Sequence, residues 1–281
     1  MSVLLRGQKM RKSHVGIASV LRLYCIGAFF ALPALAGEFS AAQNPRPECP
    51  ADFFVKSAVI FDSITICGTK SVPDDKLSHA AQVAAQWLDN DQNGRVDEPR
   101  LLAKLHDNQP VLVMSARGFR SRAIDKIMDR LDQRVGQDLA ADETAPSRRD
   151  ERDASQEEIH HLIVNAGWIS LAPQLFSDRR AVRSALYAAW QQAETKRLYD
   201  YDDWTCDDSC KVVEFFYLAT AAYLGSAIDV AHDELRVKTR ADLKQKLPQV
   251  TAVIETKDYV YPRQMWPDGS YPHEKNIRFS K

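Results

Sequence analysis

Lys211-Val212-Val213-Glu214-Phe215-Phe216-Tyr217-Leu218-Ala219-Thr220-Ala221-Ala222-Tyr223-Leu224-Gly225 is the stretch on which the fold turns. A helix of this composition is apolar on nearly every side, so it must be wrapped by other elements rather than laid on a surface. Gly225 marks its end. Glu214 sits in its first half, and a carboxylate carried into an interior needs a partner: an arginine, a retained proton or a metal ion. Tyr217 lies one turn further on and on the same side.

Outward from this helix, Tyr199-Asp200-Tyr201-Asp202-Asp203-Trp204 forms an acidic, aromatic rim that a Cys206–Cys210 bridge would hold near its start. The alternative is a solvent-exposed acidic loop. Helical periodicity recurs at 74–88, 98–106, 120–135, 155–166 (closing at Gly167) and 178–195, and more weakly at 228–245. His79 falls off the apolar stripe of its helix and reads as a surface or capping residue. Segment 53–66, rich in Val, Ile, Phe and Thr, reads as one or two strands, and Pro110 to Met114 as a buried one. Segment 140–152 is patternless and reads as a loop, and its Arg-rich stretch, Arg148 to Arg152, as solvated. The Pro-containing tail 257–281 reads as extended coil across the surface. The expected fold class is therefore α+β, predominantly helical, with an N-terminal strand and helix part over 53–140 and a helical part over 153–250.

The chain of 281 residues carries 37 Lys and Arg against 38 Asp and Glu. Residues 1–36 combine a basic start (Arg6, Lys9, Arg11, Lys12), an apolar stretch and Ala34-Leu35-Ala36 before Gly37, the pattern of a removable signal peptide. The clean apolar run is too short to make a comfortable membrane anchor. Removal takes away five cations and no acid, leaving 32 Lys and Arg against 38 Asp and Glu, net −6 over 37–281. A mildly acidic surface argues against nucleic acid or an anionic membrane as partner. The expected location is secreted or periplasmic. Cys25 leaves with the signal, and Cys49, Cys67, Cys206 and Cys210 remain, an even number for an oxidising compartment. Nearness in sequence favours Cys49 with Cys67 and Cys206 with Cys210.

Two segments could hold metal. Asp89, Asp91, Asn93, Arg95 (through its carbonyl) and Asp97 have the spacing of an EF-hand calcium loop, with Gly94 at the sharp turn. Arg100 stands where that loop needs a bidentate Glu, so Glu98 or water would have to complete the shell. The competing reading is a turn whose Asp97 caps the next helix, with Pro99 in its first turn. In the second segment, Asp153 to Leu162, Glu157, Glu158 and His161 are three and four residues apart, so a helix presents all three to one site. Its competing reading is a capping box, Ser155-x-x-Glu158, beside an ordinary Glu157–His161 surface pair.

Taken together, Val72-Pro73-Asp74-Asp75-Lys76-Leu77-x-His79-Ala80-Ala81, Leu88-Asp89-Asn90-Asp91-x-x-Gly94, Asp153-Ala154-x-x-Glu157-Glu158-x-x-His161, Tyr201-Asp202-Asp203-x-Thr205-Cys206, Glu214-Phe215-x-Tyr217 and Pro267-Asp268-Gly269-x-Tyr271 resemble a family of secreted proteins. That family has an EF-hand-like D-N-D-x-x-G loop and an E-E-x-x-H helix, and the resemblance spans most of 37–281. The order of elements is also distantly similar to gluzincin-type zinc metallopeptidases. That likeness implies a single zincin-like domain, in one or two lobes, acting on a peptide or protein substrate. It places Glu157, His161 and Glu214 as metal ligands, Glu158 as general base, and Tyr217 or Tyr201 as oxyanion stabiliser. Glu157 stands where H-E-x-x-H has its first His, which makes a harder site and moves preference from zinc toward manganese or iron. Glu158-x-x-His161 can also be read as half of a carboxylate-bridged di-metal site, but the second Glu-x-x-His it needs is absent. The other expectation is a non-catalytic calcium-binding or interaction protein. N-terminal sequencing of the exported protein should begin at Gly37; an intact Met1 on the exported chain would overturn the signal-peptide reading.

Overall fold

The computed structural model describes residues 48–131, 134–145 and 151–280. The signal segment 1–36, with Cys25, and Arg148 lie outside them. Strands β1 (Lys56–Ile60) and β2 (Ile64–Gly68) form an antiparallel hairpin. Helices α1 (Asp74–Leu88) and α2 (Pro99–Asn108) lead to β3 (Val111–Ser115), which pairs parallel with β2. Helix α3 (Ser121–Arg130) then crosses to β4 (Gly136–Ala140), parallel to β3. The last strand, β5 (Ile277–Ser280), adds antiparallel to β1, giving the order β4-β3-β2-β1-β5.

The pleat sorts side chains onto two faces, since successive residues of a strand point oppositely. Ile64, Ile66, Leu112 and Met114 join the main core with α1, whereas Cys67, Val111 and Val113 join Ile127 and Leu131 in a smaller core beneath α3. Burial on both faces is why Pro110 to Met114 reads as a continuous apolar run rather than an alternating one. The smaller core is stapled by Cys49–Cys67.

Beyond the sheet come α4 (Ala154–Ile163), the short α5 (Ile169–Leu171) and α6 (Pro173–Phe176), α7 (Ala185–Thr195), α8 (Asp208–Leu224), α9 (Arg240–Lys246) and α10 (Pro248–Ile254). The fold is thus α+β with one five-stranded sheet among the described residues. Helix α8 is buried along its length, from Val212 to Tyr223, as its composition demands. Asp207 caps it by accepting from the Cys210 amide, and Cys206–Cys210 closes the loop at its start. Among the described residues no helix is long and apolar enough to cross a membrane.

Several expectations need correction. Gly167 does not end a helix: α4 continues through a wider π-helical turn, Val164–Trp168, into α5. A side chain at Gly167 would have its Cβ 2.5 Å from Leu101 Cδ1, so the glycine is there to let α2 approach. Segment 178–184 is not helical, and Ser184 caps α7. Segment 228–245 is mostly turns, with helix only from Arg240. Segment 140–152 has its first residue in β4, which short, mixed Gly136-Gln137-Asp138-Leu139-Ala140 does not advertise.

The tail is not a surface coil. Tyr261 and Tyr271 are buried, and β5 completes the sheet. Asn90 Oδ1 accepts from the Gln264 and Met265 amides, Gln86 Oε1 from those of Asp268 and Gly269, and Gln156 donates to the Pro267 carbonyl at 2.5 Å. His79 is not a surface residue either. It is 6 % exposed and its Nε2 lies 2.5 Å from Asp153 Oδ2.

Gly269, at φ +74°, lies against the other side of the His79 ring, where a Cβ would fall 2.1 Å from Nδ1. Gly269→Ala should therefore cost about 2–4 kcal/mol, from overpacking on top of backbone strain. Gly118→Ala, at a similar φ of +75° with its nearest contact at 4.0 Å, should cost only the strain, about 1 kcal/mol. Equal losses in urea unfolding would show that His79 makes way without penalty.

Candidate metal centre

Helix α4 starts at Asp153, whose Oδ1 accepts from the Ser155 amide, the Ser155 hydroxyl and the Ala145 amide. The cap is therefore Asp153 rather than a Ser155–Glu158 box. Its carboxyl sits below the usual range: burial opposes the charge, but His79 and Ser155 outweigh it. From this start Ile159, Leu162 and Ile163 point into the core, which turns Glu157 and His161 toward Glu214 in the first half of α8, while Glu158 meets Gln137 on β4.

There one oxygen each of Glu157 and Glu214 and one ring nitrogen of His161 lie within 4.8 Å of one another. His161 Nε2 is 3.6 Å from Glu214 Oε2, beyond hydrogen-bond distance, and has no hydrogen-bond partner although it is buried. On its other side, His161 Nδ1 is 3.9 Å from Glu158 Oε2. Glu158 also accepts a short hydrogen bond from Gln137 on β4. Sequence reasoning missed Gln137 because its strand carries no pattern.

The charges are ill at ease. Burial pushes Glu158 up to about 8, with the Glu157 charge adding to it. Glu214 is pushed up to about 9 by burial first, then by Glu157 and Glu158, and it hydrogen-bonds to Glu157. Glu157 is raised too, again chiefly by burial, against the opposing pull of Arg152. Burial holds the His161 imidazole down to about 3, with Arg152 adding to the effect, which favours the neutral ring. Neutral imidazole with converging carboxylates is the donor set a divalent cation takes, and a cation would relieve the mutual repulsion of the acids. The residues present fit such an ion.

Arg152 is exposed, as a residue of a solvated loop would be, but it is also paired. Its guanidinium is 2.5 Å from Glu157 Oε2 and 4.0 Å from Asp229 Oδ1. Tyr217 is fully buried, and its hydroxyl donates to Asp229 at 2.6 Å while its ring meets the His161 ring edge-on. Tyr201 is half-buried, stacked on Tyr199, and pushed up to about 12 by burial and by Glu214 and Glu157. His160 points away into an aromatic nest: Thr220 donates to the Phe216 carbonyl and His160 Nε2 lies 2.8 Å from the Tyr261 hydroxyl.

In the other acidic segment, oxygens of Asp89, Asp91 and Asp97 also come within 4.8 Å of one another. The shell is not completed in the way anticipated. Glu98, not Asp97, caps α2, and Glu98 pairs with Arg100 at 2.7 Å and accepts from the Val260 amide. Neither residue turns to the loop. Asp89 accepts from the Asn93 and Gly94 amides and the Tyr271 hydroxyl, while the Arg95 amide is held by Asn93 Oδ1. The loop thus grips the tail, as His273 at the Gln92 carbonyl and Asn276 at the Gly94 carbonyl also show. Asp97 is raised to about 6, chiefly by burial, with Asp91 and Asp89 contributing.

No family model, curated protein or solved structure matches this chain.

The site carries a pH signature. Glu158 and Glu214 have folded pKa values above their unfolded ones, so their contribution is present at low pH and lost as pH rises toward 8 and 9. His161, depressed to about 3, acts oppositely but only below about 6.5. Chelator-treated protein should therefore lose stability from about pH 6.5 to 9, and Glu158→Gln should flatten that slope. A thermal-melt series showing no decline over this window would mean the carboxylates are better solvated than their burial implies.

Proposed function

We propose that this protein is an exported, divalent-metal-dependent hydrolase of the metallopeptidase type, with Glu157, His161 and Glu214 as ligands. The observation that carries the reading is the buried, unpartnered Nε2 of neutral His161, aimed between two carboxylates. A structural histidine in such a place would be hydrogen-bonded. Two carboxylates and one imidazole form a hard donor set, better matched to manganese or iron than zinc.

A bound divalent ion would supply Lewis acidity, polarising a scissile carbonyl and lowering the pKa of water. The rest falls to the chain. Glu158, next to His161 and restrained by Gln137, accepts a proton when ionised and returns it to the leaving amine. Tyr201 is the phenol left to stabilise the oxyanion, because the Tyr217 hydroxyl is committed to Asp229. The E-E-x-x-H helix followed by a later Glu-bearing helix supports a zincin-like arrangement, and the two disulfides are consistent with an exported chain.

A second reading, a non-catalytic calcium-binding or interaction protein, rests on the convergence of Asp89, Asp91 and Asp97. Elemental mass spectrometry after dialysis in trace-metal-free buffer separates the two. Near-stoichiometric manganese, iron or zinc supports the hydrolase, whereas calcium alone or no metal sinks it. Glu214→Gln should abolish metal retention with the fold intact. Glu158→Ala should keep the metal while lowering peptide hydrolysis by about 10²–10⁴-fold; unchanged turnover would remove Glu158 from the chemistry.

A further inference from the structure

Arg152 has no role in the hydrolysis just described, yet it reaches into the ligand set. Its side chain, on a segment that leads directly into the Asp153 cap, is 41 % exposed, and its guanidinium contacts Glu157 Oε2 at 2.5 Å. Glu157 is itself nearly buried, at 12 %. Around the guanidinium stand Glu157 and Asp229 within 4.0 Å, and Tyr217 and Glu234 further off. Glu214 and Glu158 complete an acidic surrounding.

We infer that Arg152 is a built-in competitor for the metal: it neutralises Glu157 when no ion is bound and must yield that carboxylate when one is. The inference rests on the metal-site reading above. Two points support it. The positive charge sits on an oxygen of a proposed ligand, at a distance where a second cation on the same carboxylate is repelled strongly in a partly desolvated site. The Arg152 side chain is 41 % exposed, so solvent is open to it once it leaves Glu157, whereas Asp229, 4.0 Å away, is buried and already accepts from Tyr217 and Ser226. The device makes the empty site stable without making it a strong scavenger. Loading is then set by the free metal concentration and by how readily Arg152 moves.

The test is a Mn²⁺ titration, repeated with Zn²⁺ against a chromogenic chelator, on the full protein, Arg152→Ala and Arg152→Lys, with circular dichroism confirming the fold of each. Arg152→Ala should bind both ions at least about tenfold more tightly and should melt lower than the wild type when chelated, the gap closing on loading. Arg152→Lys, which keeps the charge but not the fork, should stay within a fewfold of wild type. Equal or weaker binding by Arg152→Ala overturns the inference, because the arginine would then be neutral to the ligand set or would be holding Glu157 in place. Were Arg152→Ala to misfold, Arg152→Gln takes its place with the same expectation. Wild-type protein and variants that all fail to bind would instead overturn the metal-site reading, and this inference with it.

Discussion

Everything the E-E-x-x-H helix does depends on where it begins, and that is set by one carboxylate. Asp153, 4 % exposed, gathers His79 from α1, two groups of Ser155 and the Ala145 amide. A buried carboxylate with this many partners repays its desolvation only in one geometry, so it acts as a positional lock as well as a cap. Shifting α4 by one residue would rotate Glu157 and His161 by about 100° away from α8. The site is therefore as precise as the Asp153 anchor.

The second constraint is the tail. Residues beyond 257 are tied to the rest of the domain by side chains of the preceding elements. Asn90, Gln86, Glu98 and Gln156 each satisfy tail backbone groups, and Tyr261 reaches His160 and Thr220 inside the core. Trp266 lays its ring against Trp87 and Tyr217, the same Tyr217 whose opposite neighbours are His160 and His161. Rigidity is thereby passed to the candidate ligands through packed aromatic rings. The acidic 89–97 loop, which by its spacing reads as a calcium site, also holds the tail, through Asp89, Asn90, Gln92 and Gly94.

How far the sequence disclosed this follows from the range of the forces involved. Helix α8, the Ile159–Leu162–Ile163 stripe of α4 and the buried run of β3 declare themselves because periodicity is local. The grouping of Glu157, His161 and Glu214 was also legible, since two of the three share one helix and the third is an isolated acid in an apolar one. The two disulfides followed from proximity in sequence. His79 was misread because its partner is 74 residues away. Gly167 looks like a stop signal, and only the presence of Leu101 and Leu105 explains it as a contact. Strands β4 and β5 are short and mixed, and derive their identity from neighbours already in the sheet. Arg152 was hidden by the charged residues around it.

The sheet order adds a temporal dimension. β5 is the last strand in the chain but completes the edge beside β1, the first. Pairings of such long sequence separation form late, after their loop-closure cost has been met. Until residues past 257 are available, Asn90, Gln86 and Gln156 lack their tail partners and the aromatic nest behind His160 and His161 stays open. A chain emerging vectorially, N-terminus first, would thus remain loosely folded until its final segment arrived. Glu157, His161 and Glu214 would be drawn into register only once the whole polypeptide was available.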